Sequence, residues 1–193
     1  MQQEKQKYAD SLIRLLQKKK LSEITVKDIA AECGVTRQAF YYHFSDIYEL
    51  VEWIYTDAAQ KALEGHADID DWEIGFLMVL KWVKENSVIV ENTLRSITRE
   101  YAETFLNRVL GEYITPLVQR QAEGMLVTED QKKFIARFYT LSLNSITIDW
   151  ILSGMKEEPD ELVRSVSILI RGNIRQGLDN FEKENRRKKQ EGR

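Results

Sequence analysis

Hydrophobic side chains recur every three or four positions along most of the chain, which is the spacing of one face of an α-helix. Tyr8, Leu12 and Leu16 begin this pattern near the N-terminus. The longest run advances in steps of four: Tyr101, Phe105, Val109, Tyr113 and Leu117. Alternating strand-type runs are scarce, and the 193 residues include only 9 glycines and 2 prolines. The sequence therefore predicts an all-α fold.

Polar residues divide this pattern into helices. In the first half the predicted helices are 2–20, 26–33, 37–43 and 45–63. A polar stretch with Asp68, Asp70 and Asp71 as candidate caps precedes the second half. There, helices are expected around 72–85, 101–117, 129–152 and 159–181, and 182–193 is expected to be a frayed, charged tail. Pro116 should kink or end the helix in which it lies.

Residues 25–44 are predicted to form two short helices joined by a tight turn. Thr25 with Asp28 three residues later is a helix-capping pattern, and Thr36 can cap the helix that follows. Gly34 stands where the chain must turn with a positive φ angle. Phe40 can fill the space between the two helices, so the pair can form a stable unit.

The second helix of this pair is expected to present Thr36, Arg37, Gln38, Tyr41 and Tyr42 outward. An α-helix fits the major groove of DNA, and the first residues of a recognition helix reach the base edges. Arg37 can bind guanine in a bidentate manner, and Gln38 can bind adenine. The backbone amides at Thr25 and Thr36 are candidate phosphate sites, since helix N-termini attract anions.

These residues also match a known family over about residues 8–55. The matching segments are T-V-K-D-I-A from Thr25, C-G-V-T from Cys33, F-Y-Y-H-F from Phe40 and D-I-Y-E-L from Asp46. Together they resemble the N-terminal domain of the tetracycline-repressor (TetR) family. The resemblance implies DNA contacts at Thr25, Lys27, Thr36, Arg37, Gln38, Tyr41, Tyr42 and His43, with Phe40 and Phe44 in the core. One position departs from the pattern: Ile47 replaces a lysine that holds a phosphate in many relatives.

The C-terminal part resembles, more weakly, the branch of this family that includes dihydroxyacetone-kinase regulators. The residues concerned are Phe138-Tyr139, Asp149-Trp150-Ile151, Gly154-Met155-Lys156 and Pro159. The last two predicted long helices are rich in apolar residues on more than one side, and a helix that is apolar over so wide an arc must be covered by a second protein surface. A partner subunit can supply that surface, and the family resemblance implies a four-helix dimer bundle. The candidate dimer residues are Val163, Val166, Ile170 and Ile174.

Aromatic residues inside a helical body can form either its core or an apolar cavity for an effector. Core is the default interpretation for any one of them. The candidate effector-pocket residues are Trp82, Tyr101, Phe105, Phe138, Asp149 and Trp150. Asp149 is the candidate polar group of that pocket, and a solvent-facing acid is its alternative interpretation.

Composition limits the other possibilities. The single cysteine, Cys33, excludes an internal disulfide, and no run approaches the about 20 apolar residues of a membrane span. We therefore expect a cytoplasmic protein. Residues 1–50 carry eight basic and seven acidic side chains, so the net charge of −3 arises in the rest of the chain. His43, His66 and Cys33 lack the spacing of metal ligands, and no cofactor is expected.

The sequence thus predicts a helix-turn-helix DNA-binding domain (1–46), a helical effector-binding and dimerisation domain (47–181) and a charged tail (182–193). The expected function is a homodimeric transcriptional repressor that binds a palindromic operator in double-stranded DNA. An unknown small molecule or protein is expected to release it. Two alternatives stay open: a TetR-like co-regulator that acts through protein contacts without operator binding, and a helical enzyme. The enzyme is disfavoured because no catalytic constellation is present.

Overall fold

The computed structural model describes residues 2–64 and 72–191, and every regular element in those residues is a helix. The candidate caps Asp68, Asp70 and Asp71, and also His66, lie outside the described residues. Within the described parts, no helix combines the length and the apolar character needed to cross a bilayer. The α-helices, in chain order, are α1 (Gln2–Leu16), α2 (Val26–Cys33), α3 (Arg37–Tyr41), α4 (Ile47–Leu63), α5 (Trp72–Glu85), α6 (Ser87–Leu94), α7 (Arg99–Gln121), α8 (Glu129–Leu152), α9 (Pro159–Ile170) and α10 (Asn173–Glu191), with a short 3₁₀ helix at Leu21–Glu23.

Three of the predicted helix starts have a threonine cap. The hydroxyls of Thr25, Thr36 and Thr128 each accept a hydrogen bond from a backbone N–H in the first turn, at 3.2, 3.2 and 3.3 Å. Pro159 is the first residue of α9, where its missing N–H costs nothing. These predicted boundaries are confirmed, because the capping residues satisfy backbone groups that a helix end leaves unpaired.

Two other boundaries differ from the prediction. α1 ends at Leu16 and does not reach Lys20, because the chain turns there and buries Leu21 and Ile24 in the core. α7 does not end at Pro116 but continues to Gln121. Pro116 lies on an exposed side of α7, whereas its neighbours Leu117 and Val118 are buried, so packing maintains the helix through the proline.

The prediction of one helix over 159–181 is wrong. Arg171 leaves the helical conformation with ψ 119°, and Gly172 takes a φ of +77°, so α9 ends at Ile170 and α10 begins at Asn173. The apolar spacing continues across this junction from Val166 to Ile170 and Ile174. Because the apolar spacing continues, the sequence pattern gives no sign of the break between α9 and α10.

The predicted fraying is also wrong for residues 182–191, since α10 continues to Glu191, where the described part of the chain ends. Ion pairs four residues apart connect Arg186 with Glu182 and Lys188 with Glu184 along its exposed side. Glu182 also accepts a hydrogen bond from the Leu126 amide at 2.9 Å, which anchors α10 to the loop between α7 and α8. Local pairing and this tertiary contact together favour a helix.

The chain forms two compact units. The first comprises Met1–Ala62 with Val79–Phe105, and the second comprises Leu63–Met78 with Leu106–Arg193. The first unit therefore includes residues that the sequence analysis placed in the effector and dimerisation domain. Its core contains side chains from α1 to α4 and from α6, among them Leu12, Ile29, Phe40, Leu50 and Ile89. The most deeply buried side chains of the second unit include Val118 and Leu178.

Candidate nucleic-acid interface

α2 begins with a reciprocal pair of hydrogen bonds between Thr25 and Asp28. The Thr25 hydroxyl accepts from the Asp28 amide at 3.2 Å, and the Asp28 carboxylate accepts from the Thr25 amide at 2.8 Å. The backbone N–H and the hydroxyl of Thr25 hold the pKa of Asp28 below its usual value. The Thr25 amide is one of the predicted phosphate sites. In the structure this amide already donates to the Asp28 carboxylate, so a phosphate would have to compete with that carboxylate.

The turn between α2 and α3 depends on Gly34. Its φ is +70°, as predicted, a conformation that costs a residue with a Cβ about 1–2 kcal/mol. Its amide and that of Val35 donate to the carbonyls of Ala31 and Ala30, at 3.1 and 2.9 Å. These bonds pair carbonyls that the end of α2 would leave free, so the turn sets where α3 begins.

Beneath α3 lies an aromatic cluster. Phe40 is fully buried and meets Tyr8 edge to face, with ring centroids 5.6 Å apart. Phe44 is also buried and contacts the same tyrosine at 6.0 Å. The core positions predicted for Phe40 and Phe44 are confirmed. These contacts anchor α3, which has only five residues, to α1.

The opposite face of α3 is open to solvent. Thr36, Arg37 and Gln38 at its start are all exposed. Tyr41 and Tyr42 follow, with 56% and 85% of their surface exposed. Thr25 and Lys27 on α2 are exposed as well. Seven of the eight residues to which the family resemblance assigns DNA contacts are therefore accessible. Tyr41 and Tyr42 are adjacent in the chain, so together they form a continuous aromatic part of this exposed surface.

His43 is the exception among the eight. Its side chain is only 10% exposed, and its Nε2 lies 3.9 Å from the carboxylate of Glu4. The imidazole packs between the rings of Tyr8 and Tyr42, at centroid distances of 5.5 and 5.3 Å. The imidazole of His43 therefore contacts the Tyr42 ring from the protein side and is not itself part of the exposed surface.

The start of α4 contains the departure from the family pattern. Ile47 is half-buried and packs against the core of the first unit, so it offers no charge to a phosphate. Asp46 caps the helix by accepting from the Glu49 amide at 2.8 Å. The Glu49 carboxylate in turn accepts from the amide and hydroxyl of Ser45, which lowers the pKa of Glu49.

Three of the candidate effector residues lie in the first unit. Trp82 and Phe105 both flank Tyr55, with centroids 5.8 and 6.4 Å from its ring. Burial raises the pKa of Tyr55 to about 12, and its hydroxyl bonds to Thr93 at 3.0 Å. The hydroxyl of Tyr101 bonds to the Glu52 carboxylate at 2.6 Å. Tyr55, which lies between these two rings, was not among the residues predicted for the pocket.

The other three candidates lie on α8 in the second unit. Phe138 and Asp149 are exposed, so Asp149 has the solvent-facing position that was its alternative interpretation. Trp150 is buried, and its indole N–H donates to the Glu157 carbonyl at 2.9 Å. That bond fixes the side chain of Trp150 in the core.

The candidate dimer residues on α9 and α10 lie mostly inside the second unit. Val163 and Val166 are buried, and Ile170 and Ile174 are half-buried. The exposed apolar residues of α9 are Ile168 and Leu169, at 71% and 69%. A second exposed stripe runs along α8 at helical spacing: Phe134, Phe138 and Leu141. The sequence predicts a partner-facing side for this helix, but these three residues were not among the candidate dimer residues, although their spacing of four and then three residues is visible in the sequence.

A capped pair of short helices with a polar and aromatic face above a buried aromatic core defines the helix-turn-helix class of regulators. The family model described as bacterial regulatory proteins, tetR family, matches residues 10–54. A second model, described as a transcriptional regulator C-terminal region of the same family, matches residues 70–172, more than half of the chain. The chain belongs to the TetR family of transcriptional regulators, which is not a class of enzymes.

Several relatives agree with this assignment. The HTH-type dhaKLM operon transcriptional activator DhaS of Lactococcus lactis is 24% identical over 143 residues, covering 72% of this chain and 75% of DhaS. A solved structure of a dihydroxyacetone kinase operon activator DhaS has a TM-score of 0.66 at 21% identity, covering 92% of this chain and 97% of that one. A TetR regulator from Streptococcus agalactiae has a TM-score of 0.61 at 22% identity, with coverages of 88% and 94%. These structures share the fold, and the predicted all-α class and family are confirmed.

Proposed function

We propose that this regulator recognises a specific sequence in double-stranded DNA through the exposed face of α3. The observation that carries the proposal is the exposure of Arg37, Gln38, Tyr41 and Tyr42 directly above the buried Phe40. The buried aromatic contacts beneath α3 fix the backbone from which these side chains project, so the helix needs no rearrangement to present them to base edges. Arg37 would bind guanine and Gln38 would bind adenine, while Thr25, Lys27 and Thr36 would contact the backbone.

A titration of the DNA upstream of the protein's own gene, followed by fluorescence anisotropy, tests this proposal. We expect salt-sensitive binding, because phosphate contacts release counterions. Arg37→Ala should cost about 1–3 kcal/mol and relax the preference at one base pair. Arg99→Ala is the control, since Arg99 is exposed in the same unit and pairs with Glu103 on its own helix. If Arg37→Ala bound every sequence as the parent does, base reading by this residue would be refuted.

The regulator is proposed to act as a homodimer on a palindromic operator. The exposed apolar residues of α8 and α9 support this, because exposed apolar patches mark protein interfaces. Phe134, Phe138 and Leu141 on α8 and Ile168 and Leu169 on α9 are the revised interface candidates. They replace Val163 and Val166, which are already covered within the subunit.

Sedimentation velocity tests the interface. Phe138→Asp should shift the protein toward monomer, because a charge would be buried against the partner. Val88→Asp is the control, since Val88 on α6 is similarly exposed but lies outside the proposed interface. A dimer that persists in Phe138→Asp, or a parent that is monomeric at micromolar concentration, would contradict this part of the proposal.

We further propose that the dimer represses transcription and that an effector releases it from the operator. An effector can do so only if it binds one of two states more tightly, by a few kcal/mol for a sharp switch. The relatives called DhaS are named activators, so the direction of regulation needs its own test. A reporter gene behind the upstream DNA should be more active when the regulator is deleted. Lower activity after deletion would indicate an activator.

A second candidate is a TetR-like co-regulator that has lost operator binding and acts through protein contacts. Ile47 favours it, because an apolar residue packed on the core stands where many relatives have a phosphate-binding lysine. The same anisotropy titration separates the two functions. Absence of any salt-sensitive shift at micromolar protein would support the co-regulator and contradict DNA recognition.

A further inference from the structure

A cavity of about 450 Å³ lies inside the second unit, at the junction between α9 and α10. Its apolar wall includes Trp72 from α5, Ile114 and Leu117 from α7, and Leu143 from α8. This volume lies within the range of about 300–1,000 Å³ that small-molecule sites in proteins occupy. None of the residues predicted from the sequence as an effector pocket lines this cavity.

The break between α9 and α10 contributes to the cavity. Ile170 is the last residue of α9 and Ile174 is the second of α10, and both line it, together with Gly172 between them. The positive φ of Gly172 turns the chain there. A molecule in the cavity would therefore contact both helices on either side of the junction.

The charged groups at the cavity neutralise each other. The Glu73 carboxylate accepts from the Ser167 hydroxyl at 2.6 Å and from the Arg171 guanidinium at 3.0 and 3.1 Å. The Ser167 hydrogen bond, followed by Arg171, lowers the pKa of Glu73, so the carboxylate is charged at neutral pH. One paired anion and one paired cation leave no net charge for a ligand to balance. The cavity therefore favours a neutral molecule.

Gln121, the last residue of α7, supplies an unusual polar group to this cavity. Its backbone carbonyl accepts from the Arg175 guanidinium at 3.1 Å, which holds the end of α7 against α10. Its side-chain oxygen Oε1 is buried and receives no hydrogen bond from any residue that the structure describes. Buried acceptors are nearly always paired, because an unpaired one loses its hydration without compensation. A donor from a bound molecule would remove that penalty.

We propose that this cavity binds a neutral, largely apolar small molecule with one hydroxyl or N–H group, which donates a hydrogen bond to Gln121 Oε1. Alkylphenols and similar amphiphilic alcohols have this chemistry: an apolar body for the isoleucine, leucine and tryptophan wall, and a single donor at one end. The regulatory role of such a ligand rests on the proposed function, in which an effector controls DNA binding. The binding itself does not depend on DNA.

The test uses the full-length protein without DNA and a matched pair of probes, para-hexylphenol and its methyl ether. The ether has the same apolar body but cannot donate a hydrogen bond. NMR of isotope-labelled isoleucine methyl groups should show the phenol shifting Ile114, Ile170 and Ile174, while Ile29 and Ile54 of the first unit stay unchanged. The phenol should bind about threefold to tenfold more tightly than the ether. Absence of shifts at the three cavity isoleucines, or equal affinity of the two probes, would overturn the proposal.

The variant Gln121→Met removes the acceptor and keeps the length of the side chain. It should reduce the affinity for the phenol to that of the ether, and it should not lower the thermal midpoint of the unliganded protein. Gln119→Met is the control, because Gln119 is exposed on the same helix and does not line the cavity. A Gln121→Met protein that still prefers the phenol would contradict the assigned hydrogen bond. DNA titrations without the phenol test the proposed function separately, so either can fail alone.

Discussion

Two glycine junctions in this protein share a backbone geometry and differ in what surrounds them. Gly34 joins α2 to α3 with a φ of +70°, and Gly172 joins α9 to α10 with a φ of +77°. At neither position does an atom beyond the adjacent residues lie within 4 Å of where a Cβ would be, so only the backbone conformation requires glycine. In both places the glycine lies where one helix ends and the next begins within the same unit.

The side chains exposed near the two junctions differ in chemistry. α3 exposes Arg37 and Gln38, and the residue after it is the exposed Tyr42; these side chains combine flat or apolar bodies with polar ends. α9 exposes Ile168 and Leu169, which have no polar atom. Polar ends suit a hydrated and charged DNA groove, whereas purely apolar side chains suit another protein surface. In both regions the turn positions a surface, and the chemistry of the exposed side chains determines which partner that surface suits.

The largest expected effect concerns the support beneath α3. Phe40→Ala should lower the free energy of unfolding by about 3–5 kcal/mol, because it removes a fully buried ring and leaves a cavity. Tyr42→Ala is the exposed counterpart and should change stability by less than about 0.5 kcal/mol while weakening DNA binding. Chemical denaturation followed by circular dichroism measures both. Equal destabilisation by the two substitutions would contradict the division of α3 into a buried and an exposed face.

The second effect tests the glycine junctions directly. Gly34→Ala and Gly172→Ala should each lower the free energy of unfolding by about 1–2 kcal/mol, because alanine is strained at positive φ. Gly111 lies within helix α7 and also has open space around it, so Gly111→Ala should instead raise stability by about 0.5–1 kcal/mol. Thermal unfolding of the three variants provides the comparison. A stabilised Gly172→Ala protein would mean that α9 and α10 form one continuous helix.

A smaller effect is expected from restoring the missing cation at the start of α4. Ile47→Lys should steepen the dependence of log affinity on log salt by about one unit, because one more phosphate is neutralised. Val88→Lys adds the same charge on α6 and serves as the control. Anisotropy titrations at several salt concentrations measure the slope. An unchanged slope in Ile47→Lys would show that this end of α4 does not approach the DNA backbone.

The smallest effect is the acid response of the cap on α2. Folding lowers the pKa of Asp28 below its ordinary value of 3.8, so its contribution to stability is present above that value. The contribution is lost as the pH falls through the lower, folded-state pKa. Asp28→Asn should therefore flatten the acid limb of the stability curve, and Thr25→Ala should flatten it partly, since the backbone donor remains. Unfolding midpoints measured from pH about 6 downward provide the test, and identical acid limbs would contradict it.

Much of the first unit could be predicted from the sequence because local capping and turn residues mark the ends of its helices. The caps at Thr25 and Thr36 are local, because each hydrogen bond joins residues only three positions apart. Gly34 follows a short apolar helix directly, so the turn is visible. A single helix face cannot bury Phe40 and both neighbouring tyrosines, so the sequence predicts that at least one tyrosine is exposed; in the structure both are.

The second unit was harder to predict because its determinants are not local. Gly172 interrupts an apolar repeat that continues on both sides, and no hydroxyl cap marks the start of α10. The side chain of Asn173 instead donates back to the Leu169 carbonyl, which pairs the end of α9. The cavity brings together Glu73, Gln121 and Arg171, which are distant in sequence. The imidazole of His43 lies inward because Tyr8 and Tyr42 enclose it, a contact that the local motif does not reveal.

Covalent labelling of exposed aromatic side chains, read by mass spectrometry with and without operator DNA, tests the central claim most directly. Tyr41 and Tyr42 should react readily in the free protein and lose reactivity when the operator is bound. Phe134 and Phe138 on α8 should show the same reactivity in both samples, because their proposed partner is a second subunit. Tyrosines that stay reactive in the DNA complex, or that are already shielded without DNA, would contradict the assignment of α3 as the DNA-reading surface.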